Sequence, residues 1–145
     1  MNEGLLWDLM LWAAMLSQHP MPDALPDIEP VPRAFLVEHF CASEHCQIAA
    51  MYVPESNDEI AGRTVYIEDD YYPVDNVEEA SILVHEFVHY LQDQGGAMGS
   101  HISCEQWWDN ERHAYRAQSI YLRKNHSPMA IDHRVINFYE CTPDG

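Results

Sequence analysis

The sequence predicts an α+β domain, mainly helical, with a small antiparallel sheet laid over one central helix. Three observations carry that expectation. Residues 79–92 are apolar on every side of a helical wheel, as in a core helix. Residues 104–122 repeat their apolar positions with helical period. Residues 47–53 and 61–68 read as two short strands separated by the turn Pro54-Glu55-Ser56-Asn57-Asp58. At 145 residues the chain is expected to form one domain over 1–145, large enough for a real core.

The elements follow in order. Residues 1–18 read as a first helix, packed through Leu5 to Leu16 and bearing Trp7 and Trp12. Residues 19–32 carry Pro20, Pro22, Pro26, Pro30 and Pro32, and are expected to be extended or turning as they cross the surface. Ala34 to Phe40 is a short helix with Leu36 and Phe40 on one face. Gln47 to Val53 alternates weakly, and Ala61 to Glu68 centres on Thr64-Val65-Tyr66-Ile67. Asp75 and Glu78 have the spacing of a capping box for the central helix, and Gly95-Gly96 marks its stop. A loop with His101 follows, then the amphipathic helix, then a tail from Asn125 with His126, His133, Tyr139 and Cys141.

Inside the central helix stands His85-Glu86-Phe87-Val88-His89. Four residues apart on a helix, His85 and His89 share one face and can hold one metal ion, with Glu86 beside it. Buried without partners, two histidines and a glutamate are costly, and a metal with a water satisfies all three. The plainer alternative is a pair of core histidines hydrogen-bonded to neighbours.

A third ligand comes from the second helix. At about 100° per residue, Glu111 falls among Cys104, Trp107, Trp108, Ala114, Tyr115, Gln118 and Leu122 on the apolar side. Glu105, Asp109, Arg112, His113, Arg116 and Arg123 fall opposite, with Ile120 the one misfit. A carboxylate facing the core needs a cation, and the histidine pair offers one through zinc. An arginine partner for Glu111 is the alternative, and His113 is the reserve ligand.

A histidine pair in H-E-x-x-H followed by a glutamate on a second helix resembles the gluzincin branch of the zincin metallopeptidases. The segments 85–92 and 111–118 also look like small zincin-like domains of bacteria. Glu111-Arg112-His113-Ala114-Tyr115 resembles the branch's E-x-x-x-D helix, with Tyr115 where the branch has aspartate. The resemblance implies a zincin-like fold whose sheet sits over the active-site helix and whose edge strand binds extended substrate. It implies a zinc-dependent peptidase acting on a peptide or protein, with His85, His89 and Glu111 as zinc ligands and Glu86 as general base. Tyr115 is the nearest candidate to stabilise the oxyanion, with His101, His126 and Tyr139 behind it. Gln118, two turns from Glu111, is a candidate to orient a ligating histidine, as are Asp69, Asp70 and Asp75. The competing reading is a non-catalytic binding module with a structural zinc.

Charge narrows the partners. Twenty-four acidic against 7 basic residues give a net charge of −17, which argues against nucleic acid and anionic membranes and leaves a basic partner possible. No stretch of 18 apolar residues occurs, so no membrane span is expected. Cys41, Cys46, Cys104 and Cys141 lack C-x-x-C spacing. The simplest pairing is Cys41–Cys46 and Cys104–Cys141, which implies an extracytoplasmic, periplasmic or secreted, location. Four reduced thiols in a cytosolic protein, or a metal held by His39, Cys41, His45 and Cys46, are the alternatives. The first residues lack a basic start and Asp8 interrupts the apolar run, so no signal peptide is expected in the chain as written.

Overall fold

The computed structural model describes residues 2–41, 47–71, 76–99 and 102–131. Four helices and three strands follow in the order α1 (Glu3–Ser17), β1 (Asp27–Val31), α2 (Arg33–Phe40), β2 (Ala50–Val53), β3 (Thr64–Glu68), α3 (Val77–Gln94) and α4 (Cys104–Lys124). The α+β class is as expected, and so are the four helices. Among the described residues no helix is long and apolar enough to cross a membrane.

Helix α3 is the axis of the molecule. Its residues from Ala80 to Gln92 are buried apart from Ile82, and Leu83, Val84, Phe87 and Val88 are fully so. Each such side chain contributes roughly 1.5–3 kcal/mol through removal from water. Three elements supply the cover: α1, α4 and β2 all pack against α3. From α1 come Leu6, Leu9, Met10, Ala13 and Ala14, and Trp12 sets its ring edge-on to Tyr121 of α4 at 5.4 Å. The helix starts are capped locally. Asn2 accepts from the amides of Gly4 and Leu5, Asn76 from Glu79, and Ser103 from Gln106. Asp75, the expected cap of α3, lies outside the described residues, and the cap is Asn76.

The sheet differs from expectation in one strand. Its order is β1-β3-β2, with β2 antiparallel and β1 parallel to β3. It is therefore mixed rather than antiparallel. Residues 27–31 fall in the proline-bearing stretch expected to be extended or turning, and here the chain is extended and paired with β3. Pro30 is nevertheless compatible with a strand, because β1 lies at the sheet edge, where one missing N–H is tolerated. The period of two divides β3 between two cores. Val65 and Ile67 join the helical core, whereas Tyr66 packs with Val31, Leu36 and Ile60, against Phe35 and Phe40 of α2.

Neither Cys41 nor Cys104 carries a free thiol. Their expected partners, Cys46 and Cys141, lie outside the described residues, as does His45.

Candidate metal centre

Helices α3 and α4 bring His85, His89 and Glu111 together. Their donor atoms all lie within 4.8 Å of one another. The Nε2 atoms of the two histidines stand 3.2 Å apart. Glu111 Oε1 is 2.8 Å from His89 Nε2, and Oε2 is 3.6 Å from His85 Nε2. Both histidines are buried, and the Glu111 side chain is 17 % exposed. Glu105 and His113 are exposed on the opposite side of α4, as the wheel indicated.

Two glutamines fix which imidazole nitrogens face the cluster. Gln92 donates from Nε2 to the Asn110 carbonyl at 3.0 Å, so its Oε1 is the atom 2.8 Å from His89 Nδ1. Gln118 donates from Nε2 to Ser81 Oγ at 3.2 Å, and Ser81 in turn donates to the Glu78 carbonyl. Its Oε1 is therefore the atom 3.0 Å from His85 Nδ1. Each Nδ1 must donate, and each Nε2 presents a lone pair to the other. Two bare lone pairs at 3.2 Å repel, so the site calls for a proton or a cation between them.

A metal ion such as zinc would meet that need. Two nitrogen ligands at about 2.1 Å from one tetrahedral ion stand about 3.4 Å apart, close to the observed 3.2 Å. Two neutral imidazoles and a carboxylate also match zinc's donor preference. In the protein without metal, a proton fills the same role. Burial alone would lower the His89 pKa, but the Glu111 carboxylate outweighs it and pushes the imidazole up to about 9. Burial likewise works to raise Glu111, yet His89 and His85 hold its carboxyl well below the usual carboxylate range.

Glu86 is buried one residue along, and its Oε2 accepts a 2.8 Å hydrogen bond from the Tyr52 amide. Strand β2 is a sheet edge, so amides on its outer side have no ladder partner, and Glu86 supplies one. The same tyrosine donates its hydroxyl to Asp93 at 2.6 Å, about two turns further along α3 than Glu86. Burial and the Asp93 carboxylate together hold that phenol protonated far into the alkaline range.

Tyr115 sets its ring edge-on to His85, with centroids 4.4 Å apart. His126 does not approach: it is exposed past the end of α4, roughly 20 Å along the axis from Glu111. His101, Tyr139 and Asp75 lie outside the described residues, and Asp69 and Asp70 are exposed. Gln118 takes the orienting position expected of it. Gln92, Asn110, Ser81 and the Tyr52 amide are additions that the sequence reading missed. Gln92 had left one signal, a polar residue inside an otherwise apolar helix three positions after His89.

Comparison with family models, with curated proteins and with solved structures returns no match for this chain.

Proposed function

We propose that this protein is a zinc-dependent peptidase with a zincin-like, gluzincin-type site. The observation that carries the reading is the convergence of His85 Nε2, His89 Nε2 and the Glu111 carboxylate beside a buried, strand-tethered Glu86. Bound there, zinc would supply Lewis acidity, polarising a substrate carbonyl and acidifying a water. His85, His89 and Glu111 would hold the ion, and Gln118 and Gln92 fix the orientation of the two imidazoles that would face it. Glu86 takes the proton of the attacking water and passes it to the leaving amine. The Tyr52 amide engages Oε2 and leaves Oε1 for that proton. Tyr115, packed on His85, is the proposed donor to the oxyanion.

The pairing Cys41–Cys46 and Cys104–Cys141 goes with this reading and with an oxidising, extracytoplasmic compartment. Alkylation of the unreduced, denatured protein should then modify no cysteine.

A second reading keeps the zinc and drops the chemistry: the Tyr52 hydrogen bond makes Glu86 a strap between β2 and α3 in a binding module. Metal analysis with a peptide-library digest separates them. The peptidase reading expects near-stoichiometric zinc, chelator-sensitive cleavage, and a Glu86→Gln variant that keeps zinc but cleaves nothing. Zinc without cleavage of any peptide in the wild type supports the module. Absence of zinc, with no uptake after stripping, sinks both.

A further inference from the structure

We propose that the outward face of α4 is a docking surface for an acidic protein segment, independent of the metal centre. The chain has 7 basic residues against 24 acidic ones, yet Arg112, Arg116, Arg123 and Lys124 all lie on this helix. Arg112 is paired with Asp109. Among the described residues, Arg116, Arg123 and Lys124 are exposed and form no ion pair or side-chain hydrogen bond. Glu105 and Asp109 share this face nearer the start of the helix, so the uncompensated positive charge is confined to its C-terminal half.

The field borders an apolar crevice. Between Arg116 and Arg123 lies a crevice of about 380 Å³, floored by Ser119 and Ile120 and closed by Met129 and Ile131 of the returning chain. Ile120 is the apolar residue out of place on the polar side of the wheel, and Met129 is 47 % exposed. Among the described residues, Ser119 Oγ is buried at the crevice floor without a hydrogen-bond partner.

The spacing defines the occupant. Arg116 and Arg123 are two helical turns apart, about 10.5 Å along the axis. In an extended segment the side chains of residues four apart share a face and stand about 13 Å apart. Two carboxylates four residues apart therefore share one face of an extended segment, with a bulky apolar side chain at the second position between them aimed at the crevice, and the long arginine side chains take up the difference in spacing. The overall negative charge opposes such a partner at long range. At physiological salt that field decays over about 8 Å, so at contact the three free cations dominate. Nucleic acid offers the charge but no aliphatic side chain for the crevice.

The test is fluorescence anisotropy with a fluorescein-labelled octapeptide carrying aspartate at its third and seventh positions and leucine at its fifth. We expect saturable binding below about 100 µM at low salt, weakened by added salt. The Arg116→Glu/Arg123→Glu protein should bind at least about tenfold more weakly, and Ile120→Ser several-fold more weakly. Replacing both aspartates by asparagine should abolish binding. Circular dichroism and metal content of each variant should match the wild type, since these side chains are outside the core. The proposal is overturned by equal binding to the charge-reversed protein, or by no binding at about 1 mM peptide. It is equally overturned if the arginines instead mediate self-association, or binding of an oligonucleotide or anionic vesicles without the peptide.

Discussion

Without metal, the cluster should make the protein's stability fall as pH rises, and the effect should vanish with Glu111. The folded His89 imidazole titrates at about 9 against an ordinary 6.5. A raised pKa contributes stability that is fully present below the unfolded value and lost as pH climbs through the folded one. The window is therefore about pH 6.5 to 9. At about 1.4 kcal/mol per pH unit, the contribution is roughly 3 kcal/mol. Glu111 contributes the mirror effect: its depressed pKa adds stability above about 4.5 that is lost in acid. The two are one interaction seen from two partners and are not added. Urea unfolding of chelator-stripped protein at pH 6 and pH 9.5 measures the difference. The wild type should lose roughly 3 kcal/mol more over that interval than Glu111→Gln, whose His89 lacks the carboxylate. Parallel pH dependences in the two proteins would refute the account. Zinc should reverse the trend, because binding must displace the His89 proton. Affinity should therefore climb toward pH 9, by up to about tenfold per unit.

The orienting amides and the core give three further expectations. Gln92→Leu removes the acceptor for His89 Nδ1 and should weaken zinc binding about 10–100-fold by competition with a chelating dye, with helix content unchanged. Phe87→Ala, at a fully buried position on α3, should cost about 3–5 kcal/mol in denaturant unfolding. Ser103→Ala removes the α4 cap and should cost about 1 kcal/mol, with the zinc-ligand geometry retained.

Most of this site is local to two helices, and that is why it could be read from sequence. The spacing of His85 and His89 puts both on one face of α3. The placement of Glu111 amid apolar residues turns it toward them. Gln118 follows from the same wheel. What escaped depends on contacts across the fold. Strand β1 is held by its pairing with β3, a non-local interaction that proline content hides. Gln92 gained meaning only once Asn110 offered its carbonyl across the α3–α4 interface. The Tyr52 amide could not be foreseen, since backbone groups carry no sequence signal about their partners.

The polar groups around the cluster are each committed twice, and this explains how a buried, charged centre persists in an apolar core. Gln92 spans His89 and the α4 backbone; Gln118 spans His85 and Ser81. Tyr52 spans Glu86 through its amide and Asp93 through its hydroxyl, two points separated by two turns of α3. A group with two partners cannot rotate toward one without losing the other, so each side chain has a single satisfied orientation. Leaving one buried polar group unmet would cost roughly 1–3 kcal/mol. The network therefore disfavours rearrangement of the histidines even before a metal arrives. Preorganisation of this kind is what a hydrolytic site needs, because a base and its ligands must already be aimed when substrate binds. The tether on Glu86 fits either reading: it aims the base of the proposed peptidase, and in a binding module it straps β2 to α3.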